Sequence, residues 1–116
     1  MPVTLSVHAK KESTYIITAT FTDEDGNAVV PASIKWTLTD AGGTVINGEL
    51  DVVVPVPAAS VDILLQGLDL AILVTDISSN PTRIITVEAT YNSALGLGLP
   101  LHGDAEFVVD GMIGIP

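Results

Sequence analysis

Residues 33–39 read SIKWTLT, and this short run decides the fold. Ile34, Trp36 and Leu38 alternate with Lys35, Thr37 and Thr39, the two-residue rhythm of a strand with one face in a core and one in water. The rhythm recurs on both sides of it. Upstream, YIITATFT at 15–22 sets Tyr15, Ile17, Ala19 and Phe21 on one face and threonines on the other. Downstream, RIITVEATY at 83–91 sets Ile85, Val87, Ala89 and Tyr91 against Thr86, Glu88 and Thr90.

Weaker copies flank these three. VTLSVHA at the start offers Val3, Leu5 and Val7 to one side, and AEFVVD near the end offers Ala105, Phe107 and Val109. LDVVVPVP has strand composition, but Pro55 and Pro57 cannot donate to a ladder, so the piece belongs at an edge or in an irregular crossover. VDILLQGLDLAILV fits helical and strand spacing in different places; Gly67 and Asp69 interrupt both, and we read a strand, a turn and a second apolar segment. Turn chemistry separates the runs: Asp23-Glu24-Asp25-Gly26-Asn27, then Asp40-Ala41-Gly42-Gly43 leading into TVIN, then Ser78-Ser79-Asn80-Pro81. Residues 92–104, NSALGLGLPLHGD, read as a glycine-rich loop. Seven or eight short strands joined by such turns make an all-β Greek-key sandwich.

A chain of 116 residues is long enough for one core but not two. Its mean hydropathy of +0.53 argues for a folded chain despite a net charge of −10. That charge repels phosphate backbones and anionic headgroups, so neither nucleic acid nor a membrane surface is an expected partner. With no cysteine there is no disulfide and no thiolate chemistry. The first residues contain no signal-peptide core, and no apolar run is long enough for a spanning helix, so a soluble, unprocessed chain is expected.

Candidate chemistry is sparse. Asp23, Asp25 and Asn27 offer oxygen ligands for calcium, and Asp104 would join them if the loops after the second strand and before the last share one end. The spacing falls short of an EF-hand, and a solvated turn is the plainer reading. His8 and His102 lie in no catalytic motif, no cofactor is implied, and the expectation is a protein that is not an enzyme. All five aromatic rings fall on inward faces, which leaves little for stacking sugars.

The stretch FTDEDGNAVVPASIKWTLTDAGGTVING, with a D-x-x-G turn before a W-x-L-x-D-x-x-G strand and hairpin, resembles immunoglobulin-like domains of bacterial surface proteins and bacteriophage structural proteins. Trp36 stands where such domains keep a core tryptophan, here without the usual disulfide, and TVEATYNSALGLGLP is similar to their penultimate strand and following loop. The resemblance implies an immunoglobulin-like domain over 1–110 with a short apolar tail over 111–116. It further implies a structural or interaction role with protein partners, as a homo-oligomer or in a virion as capsid decoration or tail component, with a bacterial cell-surface or adhesin module as the alternative. Contacts are expected through Asn92, Leu95, Leu97 and Leu99 in the glycine-rich loop and through Met112, Ile113 and Ile115 in the tail.

Overall fold

A computed structural model describes residues 3–73, 76 and 80–111. The tail residues Met112, Ile113 and Ile115, like Ser78 and Ser79 of the expected turn, lie outside the described residues.

The protein is an all-β sandwich. Its strands are β1 (Val3–Thr4), β2 (Ala9–Lys10), β3 (Thr14–Thr20), β4 (Ser33–Asp40), β5 (Val52–Val53), β6 (Ser60–Gln66), β7 (Thr82–Ser93) and β8 (Gly96–Asp110). A 3-10 turn, Gly67–Leu70, follows β6. The larger sheet runs β1-β8-β7-β4-β5, with β2 also on β8, and the smaller sheet is β3 against β6. β1 and β2 lie parallel to β8; β3 with β6, β4 with β5 and β7, and β7 with β8 are antiparallel.

The inward residues meet between the two sheets. Trp36, Leu38, Ile85 and Phe107 from the larger sheet pack in one cluster with Tyr15, Ile17, Ile63 and Leu65 from the smaller. Tyr15 and Phe107 touch across the gap with ring centroids 4.9 Å apart. A second cluster of Phe21, Ile34, Val61 and Ala89 closes the far end. All five aromatic side chains are buried, each contributing the large apolar area that a core without disulfides relies on.

Three expectations need correcting. VTLSVHA is not one strand: β1 and β2 are separated by residues 5–8, and Val3 and Val7 are 66% and 68% exposed while Leu5 only partly reaches the core. Residues 92–104 are not a loop, because β7 and β8 form a continuous hairpin from Thr82 opposite Val108 to Ser93 opposite Gly96. Glycine and proline disguised it. Gly98 adopts φ +64°, a left-handed conformation open to glycine, at the bulge between Tyr91 and Ser93, and its N–H donates to Asn92 Oδ1 at 2.9 Å. TVIN contributes one isolated bridge, Thr39 to Val45, rather than a strand.

Candidate interaction surface

Among the described residues the smaller sheet has two strands and therefore two edges with no further strand. Gly67 N–H donates to Ser13 C=O and Phe21 N–H to Ala59 C=O, both in the β3–β6 register. The odd-numbered residues of β3 thus bond across to β6, and Thr14, Ile16, Thr18 and Thr20 turn their N–H and C=O groups outward. Beside that outward row runs a furrow at the mouth between the sheets. One opening of about 450 Å³ lies between Leu5–Val7 and Thr14–Thr18, and a second of about 410 Å³ continues it past Ile17 to Phe21, under Val3, Val87 and Leu101. On the outer face Ile16 stands opposite Leu64, both exposed.

The hairpin arm is the second exposed apolar feature. β4 ends its pairing at Ser33 opposite Thr90, so Tyr91 to Leu99 project beyond it. At the tip Leu95 and Leu97 are 74% and 83% exposed, while Leu99 is half-buried over Gly96. Of the expected contact residues, the structure therefore offers the two tip leucines to solvent and uses Asn92 to hold the bulge.

Carboxylate oxygens of Asp23, Glu24 and Asp25 lie within 4.8 Å of one another. Their geometry has a structural cause. Asp23 Oδ1 accepts the N–H groups of Asp25 and Asn27 at 2.9 and 3.0 Å, and Asp40 Oδ1 accepts those of Gly42 and Thr44 at the same two distances. Gly26 and Gly43 take the left-handed conformation at matching places, φ +80° and +92°. One turn is built twice, and the second copy has no acidic neighbours. Glu24 also accepts from the Tyr91 hydroxyl at 3.0 Å, which ties the turn to the hairpin arm; burial and then this carboxylate push the Tyr91 pKa up. Asp104 does not join the group. It sits inside β8 opposite Thr86, five residues past Leu99, which faces Tyr91, or roughly 17 Å along a strand.

The histidines are placed apart. His8 Nδ1 is 3.0 Å from Asp110, which also accepts from Lys10 at 3.1 Å; the hydrogen bonds to Lys10 and His8 hold its carboxyl below the usual range. His102 is exposed on the outer face of β8 opposite Glu88 and lines only the rim of the furrow.

One feature was not anticipated from the sequence. Arg83 is 1% exposed, and its Nη1 and Nη2 reach Asp76 Oδ1 and Oδ2 at 3.0 and 2.7 Å, with Nη2 also on Ala71 C=O at 3.3 Å. The hydrogen bond from Arg83 holds the Asp76 carboxyl below its ordinary value. A two-pronged pair of this kind fastens the segment before β7 to the end of the sandwich. The signal was in the alternation itself, because Arg83 has the inward parity of Ile85, Val87 and Ala89. Near the same end Asp69 is buried and accepts from Asn47 Nδ2 at 2.9 Å and from the Gln66 N–H at 3.1 Å. Burial, and then Asp69, raise the pKa of neighbouring Glu49.

No family model, curated protein or solved structure matches this chain.

Proposed function

We propose that this protein is a non-enzymatic structural and interaction module, an immunoglobulin-like domain built into a bacteriophage particle as capsid decoration or as part of the tail. The single observation that carries the interaction half of this reading is where its apolar surface lies. The aromatic rings are all in the core, while aliphatic side chains are left exposed at the hairpin tip, at the furrow rim and on the outer face of β3–β6. Exposed aliphatics spread over several faces, with Leu50, Val53 and Val56 around β5 besides these three places, suit contacts with other proteins better than they suit a small polar ligand. The strand order β1-β8-β7-β4-β5 over β3-β6, with the first strands parallel to the last, supports the immunoglobulin-like half.

The virion half rests on the resemblance of residues 21–48 to phage structural domains. Its test is the genomic neighbourhood. Flanking genes for capsid or tail proteins, together with labelling of purified particles by an antibody to this chain, are the expected result. A gene set among metabolic enzymes would overturn the reading. A secretion signal or further immunoglobulin-like copies in the parent gene would transfer the module to a bacterial cell surface.

A further inference from the structure

We infer that Asn47 is a site of spontaneous modification in the folded protein: its side-chain amide is lost to a cyclic imide with Gly48 and returns as aspartate or isoaspartate, which unties residues 44–51 from the 3-10 turn after β6. The chain has four asparagines, and Asn47 alone is followed by glycine. Asn27 precedes Ala28, Asn92 precedes Ser93, and Asn80 precedes Pro81, which has no N–H to give up. A Cβ on the following residue hinders ring closure on the backbone nitrogen, and glycine removes that hindrance. Asn47 and Gly48 are both exposed to water. They are the central pair of a tight turn, at φ +53° and +68°, closed by Glu49 N–H donating to Ile46 C=O at 3.0 Å. Among the described residues the Gly48 N–H makes no hydrogen bond, so closure breaks none at the attacking nitrogen. Asn47 starts from a left-handed conformation that L-residues seldom hold, and the backbone rotation that closure requires takes it out of that conformation.

The reaction needs only water. Hydroxide takes the Gly48 N–H proton, and the nitrogen attacks Asn47 Cγ; the N–C bond forms, the Cγ–Nδ2 bond breaks, and Nδ2 leaves as ammonia with a proton from water. Water then opens the imide. Addition at Cγ releases the Gly48 nitrogen and leaves an aspartate at position 47, whereas addition at the backbone carbonyl leaves the chain running through the side chain as isoaspartate. The consequence is electrostatic. Asn47 Nδ2 donates to Asp69 Oδ1 at 2.9 Å, and Asp69 is buried with its other oxygen on the Gln66 N–H. Glu49 lies close enough for Asp69 to raise its pKa. An acid at position 47 therefore replaces the donor to a buried carboxylate with a further carboxylate, and sets charge against charge where one hydrogen bond held.

The inference concerns the purified chain and stands apart from the virion reading, which gene order decides. The test keeps the unmodified folded protein in mildly alkaline buffer and reads digests over time by mass spectrometry and isoaspartyl methyltransferase labelling. Asn47 converts about tenfold or more faster than Asn27 or Asn92, with isoaspartate in excess of aspartate, and Gly48→Ala suppresses the conversion. Because φ +68° strains an alanine there, Asn47→Gln, whose longer side chain would have to close a larger, less favoured ring, is the second control. Asn47→Asp, which carries the new charge from the start, raises the unfolding equilibrium constant about tenfold or more. Exchanging the pair, Asn47→Asp with Asp69→Asn, recovers most of that loss, since the amide at position 69 can donate to the new carboxylate and still accept from Gln66. A folded protein in which Asn47 keeps its amide as long as Asn27 and Asn92 do overturns the inference, and loss confined to urea-unfolded protein would overturn it by showing that the turn is a lock. An Asn47→Asp chain as stable as the parent overturns the untying.

Discussion

The two sheets of this sandwich solve the same problem differently. The larger one closes its ends by covalent and electrostatic means: a long β7–β8 hairpin, prolines beside β5, and the Arg83–Asp76 pair buried at the base of β7. The smaller one is a bare ladder of β3 and β6 whose inner face is filled and whose outer edge is not. The difference shows that burial and edge protection are separate requirements. A strand such as β3 can be fully committed to the core through Tyr15 and Ile17 and still turn half its backbone groups away from its one ladder partner, β6.

The contrast can be broken first where the sheets meet. Phe107→Ala removes the ring under Tyr15 and is expected to lower unfolding stability by about 4 kcal/mol, read from chemical denaturation. Asp76→Ala comes next, at about 3 kcal/mol, since it strands a buried guanidinium. Its effect depends on pH with a definite sign. The Asp76 carboxyl is depressed in the folded state, so its stabilisation is complete above the unfolded value of about 4 and fades as pH falls through the lower folded value. The stability gap between the parent and Asp76→Ala should therefore narrow in acid. Ile16→Lys, on the exposed face of the smaller sheet, should change unfolding stability by less than about 0.5 kcal/mol. Leu97→Ser at the hairpin tip is expected to move the denaturation midpoint least of all, and to matter only where another protein covers the tip.

Much of this architecture was legible in the residues. The alternation in SIKWTLT, YIITATFT and RIITVEATY located β4, β3 and β7 and put four of the five aromatic side chains inside, with AEFVVD adding Phe107, because a period of two is a backbone property that tertiary context rarely overrides. Two failures have physical causes. NSALGLGLPLHGD was read as a loop because glycine and proline weaken strand propensity, yet the partner strand β7 supplies the ladder and a bulge at Gly98 absorbs the irregularity. VTLSVHA was read as one strand because local alternation cannot reveal that β8 pairs only with its two ends. Of the carboxylates singled out in the sequence, Asp23 and Asp25 lie together in one turn, whereas Asp104 is a mid-strand residue, a fact fixed by register and not by sequence spacing. Ile16 was passed over among the threonines of its face, and with it the apolar side of the open edge.

The measurement that bears most directly on two stacked sheets is a nuclear Overhauser experiment on the rings of Tyr15 and Phe107, which belong to different sheets. Cross-peaks between the two rings, alongside a β3–β6 ladder that sets Ile17 opposite Ile63, are the predicted result. Rings with no mutual contact, or sequential amide contacts of the helical kind through 15–22, would contradict the sandwich and the contrast between its two sheets.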